Sequence, residues 1–241
     1  KNWPDGYADI DPFESYRSVF NGELTAAENP ELIFSRVTNQ GSGIKQMVQE
    51  QLPKFTNGKN RLGMTQKQCD AYYMWNGEDC PGKDLEIGRG DGSSRKTGFV
   101  TAEDVEAGMY KPLREGVSLQ YADREPRFYA SVAFNGAYWA LAAAPQQSDR
   151  RYQCWNYLGT GEDYTGSGGI MTGIGMMKFV NPLDNDAKSD GQEATSIREK
   201  SDPAIRYGEI LLDYAEAINE LQGTHQIASW DGSTTYTLQR T

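Results

Sequence analysis

The sequence predicts a mainly α-helical chain with a loop-rich portion and one small β-hairpin. Three observations carry that prediction. One long amphipathic period runs from Ser201 to Gly223, and a strand-period stretch with a central Asn-Gly lies near 127–141. Between and before them, 26 glycines and 10 prolines are scattered without period over 241 residues, which argues for ordered loops. The chain reads as a single region, 1–241, with a loop-rich part over 1–200 and its firmest helix over 201–223.

That helix is justified by its wheel. At about 100° per residue from Tyr207, the apolar Ile210, Leu211, Tyr214, Ala215, Ala217, Ile218 and Leu221 share one face. Arg206, Glu209, Asp213, Glu216, Asn219 and Glu220 take the opposite one, and Leu212 sits on the polar flank. Ser201 or Asp202 is expected to cap the first turn, with Pro203 just inside it and Gly223 as a left-handed stop. Such a stripe is marginal alone in water, so helices from Phe13–Phe20 and from whatever precedes Lys1 are expected to cover it. Exposure of the stripe would count against a helical-repeat scaffold.

In chain order, Phe13, Tyr16, Val19 and Phe20 are spaced for a weak helix over 9–20 that ends at Asn21-Gly22. Glu31 to Val37 reads as a strand or brief buried segment after Asn29-Pro30. Thr38 to Gly63 has no usable period and reads as loop. Met64 to Tyr73 suits a short helix capped by Thr65. Cys80 to Lys96, which contains Arg89-Gly90-Asp91, reads as a surface loop. Phe128, Ala130, Val132 and Phe134 alternate with Tyr129, Ser131 and Ala133. Asn135-Gly136 would then turn the chain, so that 137–141 returns antiparallel. Gly159 to Gly175 is glycine-rich but holds no dinucleotide fingerprint. Asp184 to Glu193 fails as a calcium loop, because Lys188 and Ile197 stand where ligands belong, and reads as a solvated acidic loop.

Composition removes several function classes. A net charge of −10 with no concentrated basic face speaks against nucleic acid, and favours a neutral or cationic ligand over a phosphate. No run approaches the ~18 apolar residues of a membrane span, and no signal peptide is present. A start at Lys1 without Met suggests a mature product or an excised fragment, incomplete at both ends. Cys69, Cys80 and Cys154 have no metal spacing. A Cys69–Cys80 bridge and three unrelated thiols both remain open. With His225 as the only histidine, neither a zinc site nor a nucleophilic triad is supplied, and no cofactor is expected.

Catalysis and binding can be weighed residue by residue. Glu209, Asp213, Glu216 and Glu220 pair at helical spacing, but on the face opposite the apolar stripe they are most simply solvated. The chain does not read as an enzyme. Aromatics beside planar hydrogen-bonding groups are better supplied, and they suit sugars, which present flat C–H faces and many hydroxyls. Tyr152, Trp155 and Tyr157 could give platforms, with Arg151, Gln153 and Asn156 as donors and acceptors. Tyr138, Trp139 and Trp75 are further candidates. Adjacent strand residues face opposite ways, so one of Tyr138 and Trp139 is expected in the core. The bland alternative is that all these rings fill a loop-rich core.

Several stretches resemble one family in order along the chain. RYGEILLDYAEAINEL, over 206–221, is similar to the signature helix of the SusD/RagB glycan-binding lipoproteins. Tyr16 to Phe20 with Asn29 to Phe34, the Asp123–Phe128 stretch, and Thr172-Gly173 with Lys178-Phe179-Val180 resemble further family segments. Departures are Glu125 for the usual acid position, Ile174 for an aromatic and Met64 for a proline. The resemblance implies a tetratricopeptide-like helical scaffold with a loop-rich glycan-binding half. It also implies oligosaccharide or polysaccharide capture, without bond cleavage, for a SusC-like TonB-dependent transporter. Its location would be the outer membrane, surface-facing, through a lipid anchor absent from this chain. The alternatives are a helical-repeat protein-interaction scaffold and a carbohydrate-active hydrolase fragment.

Overall fold

Asp11 accepts hydrogen bonds from the backbone N–H groups of Phe13 and Glu14, which caps α1 (Pro12–Ser18). A computed structural model describes residues 10–36, 42–83, 94–142, 151–162, 169–185, 197–229 and 231–240. The Arg89-Gly90-Asp91 loop and most of the acidic loop after Asp184 lie outside them. Strand β1 (Leu32–Arg36) falls where the sequence places an apolar run. Helix α2 (Ser42–Gln51) does not, since 38–63 reads as loop. Its period rests on Ile44, Val48 and Leu52 at intervals of four, all buried, among glutamines, glycine and lysine that dilute the pattern. Helix α3 (Gln66–Asp70) has Thr65 as its cap, as expected. A capping box between Thr101 and Asp104 starts α4 (Ala102–Glu106).

The predicted hairpin near 127–141 is not formed. Residues Pro126–Ser131 are helix α5, because Pro126 sets the first helical φ and Phe128, Ala130 and Ser131 are all buried, on more than one side. A segment buried all round loses the meaning of its alternation. Strand β2 (Val132–Ala133) pairs instead with β5 (Gly175–Met176), and β3 (Ala137–Ala140) pairs antiparallel with β4 (Arg151–Cys154). Gly136 does turn the chain, at φ +85, but it passes the chain from one two-stranded sheet to another.

The last helix also begins later than expected. Residues 202–206 are β6 (Asp202–Arg206), paired antiparallel with β1. Helix α6 spans Tyr207–Glu220. Neither Ser201 nor Asp202 caps it. The Glu31 carboxylate does, accepting from the Gly208 N–H at 3.3 Å, while the Glu31 carbonyl accepts from Tyr207 N–H at 2.7 Å. Gly223 has positive φ, as a stop requires, and opens β7 (Gly223–Ala228), which pairs with β8 (Thr235–Arg240). Among the described residues the expected cover over the apolar stripe is not found. No residue of α6 is buried, and Tyr214 is 53% and Leu212 71% exposed. Helix α1 packs on α5 instead. Only 28% of the described residues are helical, so the fold is mixed and loop-rich rather than mainly α.

Two apolar clusters hold the molecule. One gathers Val100, Val117, Tyr121, Phe128, Val132 and Phe134, with the Phe128 and Phe134 rings stacked at 5.8 Å. The other gathers Val48, Leu52, Trp139, Leu141, Cys154 and Val180. Strand β2 feeds both by alternation, Val132 facing the first and Ala133 the second, and β3 contributes Ala137 to the first and Trp139 to the second. The three cysteines are buried free thiols. The interior also holds a fully buried ion pair. Lys200 Nζ donates to Asp184 Oδ2 at 2.8 Å, and Asp184 also accepts from the Asn181 and Arg198 backbone N–H groups. Burial pushes Asp184 above and Lys200 below their ordinary values, against their mutual attraction.

Lys200→Met should cost about 3–5 kcal/mol in urea unfolding at pH 7, because it strands a buried carboxylate. The loss should shrink as pH falls through the raised Asp184 pKa, since the folded chain then binds more protons than the unfolded one. A pH-independent loss would show that the carboxylate is not the strained partner.

Candidate functional site

A cleft of about 1160 Å³ opens between α1, the 105–114 segment, α5 and strand β3. Its floor is positioned by Arg124, a buried cation. Arg124 Nη2 donates to the Cys69 carbonyl at 2.6 Å and the Tyr72 carbonyl at 2.8 Å. Its guanidinium carbon lies 4.4 Å from the Phe128 ring centroid, while Nε is buried without a partner. The Arg124 N–H donates to the Tyr129 hydroxyl, which donates in turn to the Tyr121 carbonyl at 2.8 Å. Burial pushes the Tyr129 hydroxyl up to about 12, so it stays a donor throughout the neutral range.

The walls carry aromatic and charged side chains together. Trp75 is 56% exposed, and its backbone N–H donates to the Asp123 carbonyl at 2.8 Å. Tyr138 is half-buried, with the Arg114 guanidinium 5.1 Å above its ring. Asp123 pairs with Lys96 at 2.6 Å, and Arg17 is held by Glu14. Flat rings and planar donors on one open surface suit a ligand that presents both C–H faces and hydroxyls.

The residues named from sequence divide into three groups. Trp75, Tyr138 and Trp139 reach this cleft, although Trp139 is only 4% exposed and belongs to the second apolar cluster. Trp155 and Tyr157 lie outside its lining, as a tilted pair with ring centroids 5.7 Å apart. Tyr157 is exposed, whereas Trp155 is half-buried against Gly116 and Gly136. Tyr152 and Asn156 are tied into the scaffold. The Tyr152 ring packs on Phe55 at 4.4 Å. Asn156 accepts from Asn60 Nδ2, and its backbone N–H donates to Asn135 Oδ1. The Arg151 side chain lies outside the described residues.

Sequence reasoning missed Arg114, Lys111, Met109 and Arg17, all of which line the cleft. A signal was available in the run from Gly108 to Gly116, GMYKPLREG, where glycine and proline punctuation brackets an aromatic and two cations. The carboxylates of α6 line no part of the cleft. Among the described residues no group of His, Cys, Asp or Glu side chains could hold a metal ion, and no helix is long and apolar enough to cross a membrane.

The family model described as the SusD family matches residues 30–230. Among solved structures, a SusD-like protein from Bacteroides fragilis aligns at 24% identity and a TM-score of 0.49, covering 85% of this chain and 35% of its own. A structure named BT4246 aligns at 20% identity and a TM-score of 0.52, covering 91% and 36%. The second likeness shows a shared fold. This chain spans about a third of the length of the structures it matches. No curated protein matches it.

Gly136→Ala tests the seat of Trp155. A Cβ there would stand 2.8 Å from both the Trp155 ring and Val117, at a φ of +85 that L-residues avoid. A stability loss of about 2–4 kcal/mol with a shifted tryptophan emission is expected, and wild-type behaviour in both would refute this packing.

Proposed function

From the premise that this chain belongs to the SusD family, we propose that its cleft captures oligosaccharide without cleaving it. The observation that carries the reading is the pairing of exposed Trp75 with Arg114-covered Tyr138 on one open cleft. Trp75 and Tyr138 supply ring faces for sugar C–H surfaces. Asp123 and Arg114 supply hydrogen-bonding edges. Trp139 acts from below, as the packing that holds β3. Exposed Tyr157 and half-buried Trp155 form a second, outlying aromatic surface for a longer polysaccharide, with Arg151 of β4 a further candidate, while Tyr152 and Asn156 act through the scaffold by their contacts with Phe55, Asn60 and Asn135. The captured glycan is passed to a SusC-like TonB-dependent transporter. The protein works on the outer-membrane surface, held there by a lipid anchor beyond this sequence.

A second reading, a protein-interaction surface, is favoured by one observation: the apolar face of α6 meets no partner among the described residues, although the same exposure counts against the helical-repeat form of that reading. Capture of a barrel partner without any glycan response would support it. The hydrolase reading has less support, because the α6 carboxylates are not among the residues that line the cleft. Release of reducing sugar that disappears in Glu216→Gln would restore it.

Titration with a panel of oligosaccharides, followed by tryptophan fluorescence and calorimetry, is the direct test. Trp75→Ala and Tyr138→Ala should each weaken binding about tenfold, the loss of one aromatic contact. Trp155→Ala should weaken only the longer ligands. Unchanged affinity in both cleft variants would remove the site from this cleft.

A further inference from the structure

The chain carries a net charge of −10, yet the cleft runs the other way. Four cationic side chains line it against three carboxylates. Each carboxylate is already engaged: Asp11 caps α1, Glu14 holds Arg17, and Asp123 pairs with Lys96. Lys111, Arg114 and Arg124 have no carboxylate at ion-pair distance among the described residues. Arg124 is 2% exposed and satisfied only through neutral carbonyls, with Nε left without a partner. A buried, uncompensated cation under a cleft sets a positive field there that solvent screens poorly.

We propose that the cleft takes an anionic saccharide, one bearing carboxylate or sulfate groups. This rests on the reading of the cleft as a glycan site and sharpens it to a ligand class. Arg114 is suited to the acid by its placement. Its guanidinium carbon lies 5.1 Å from the Tyr138 ring centroid, and with no carboxylate holding it among the described residues it can offer two parallel N–H bonds to an oxyanion. Lys111, exposed three residues earlier on the same segment, adds a point charge, and Tyr138 takes the sugar ring beside it. The acidity of the whole chain, which favours neutral or cationic ligands, does not extend to this surface.

Calorimetric titration of the chain with a galacturonic-acid oligosaccharide, a keratan-sulfate oligosaccharide, which carries sulfate and no carboxylate, and a neutral malto-oligosaccharide of equal length tests the assignment. At least one acidic ligand should bind about tenfold tighter than the neutral one at low salt, and the gap should close near about 0.5 M salt. A response to only one acid identifies whether carboxylate or sulfate is read. Arg114→Gln should cut the acidic-to-neutral preference about five- to tenfold. Neutral ligand bound as tightly as the acids, and lost in Tyr138→Ala, would overturn the anionic class while the glycan reading stands. Binding of no saccharide of any kind would overturn both. Should Arg114→Gln fail to fold, a salt-independent affinity of the unaltered chain for the acids would be enough to reject the proposal.

Discussion

The guanidinium of Arg124 is the constraint to which the rest of the site answers. A charge that cannot be neutralised has been placed at 2% exposure, and it is tolerated because two backbone carbonyls from the end of α3 face it. Those bonds fix the distance between the α3 exit and the start of α5. The contact with Phe128 then fixes the orientation of α5 over the first apolar cluster. Removing the side chain would leave two carbonyls unpaired in the interior, each costing about 1–3 kcal/mol. The cleft floor is therefore rigid because its polar groups admit few other arrangements.

Rigidity below contrasts with openness at the far end of the chain. Helix α6 is joined to the body through the β1–β6 pairing and the Glu31 cap, and its apolar face meets no partner among the described residues. The same helix carries the most recognisable stretch of sequence. The recognisable stretch and the cleft thus sit on different parts of the molecule, one on a helix face without a partner among the described residues and the other on loops held by buried polar contacts.

Legibility followed how much of the pattern was local. Thr65 and the α3 segment, the α1 segment and β1 could be read because their caps and periods lie within a few residues. The 127–141 stretch misled because Phe128 to Phe134 is buried on all sides, so alternation carried no information about which face was inside. Residues 202–206 were drawn into β6 by a strand some 170 positions away, a pairing that no local rule could supply. The cleft was half visible. Trp75, Tyr138 and Trp139 are conspicuous as aromatics, whereas Arg114 and Lys111 acquire meaning only once the fold lays their segment against β3. Trp155 is conspicuous as an aromatic in a loop, but that its ring also packs into the space left by two glycines could not be read locally.

The three thiols have a consequence of a different kind. Cys69, Cys80 and Cys154 are each no more than 4% exposed. Burial pushes the Cys69 thiol up to about 12 and raises the other two. Since thiolate is the reactive form, these sulfurs are doubly silent in the folded chain: shielded from reagent and held in the protonated state. Cys154 sits in one apolar cluster and Cys69 in the other. The protein therefore carries a native chemical clock in each half of its core, one that runs only when that half opens.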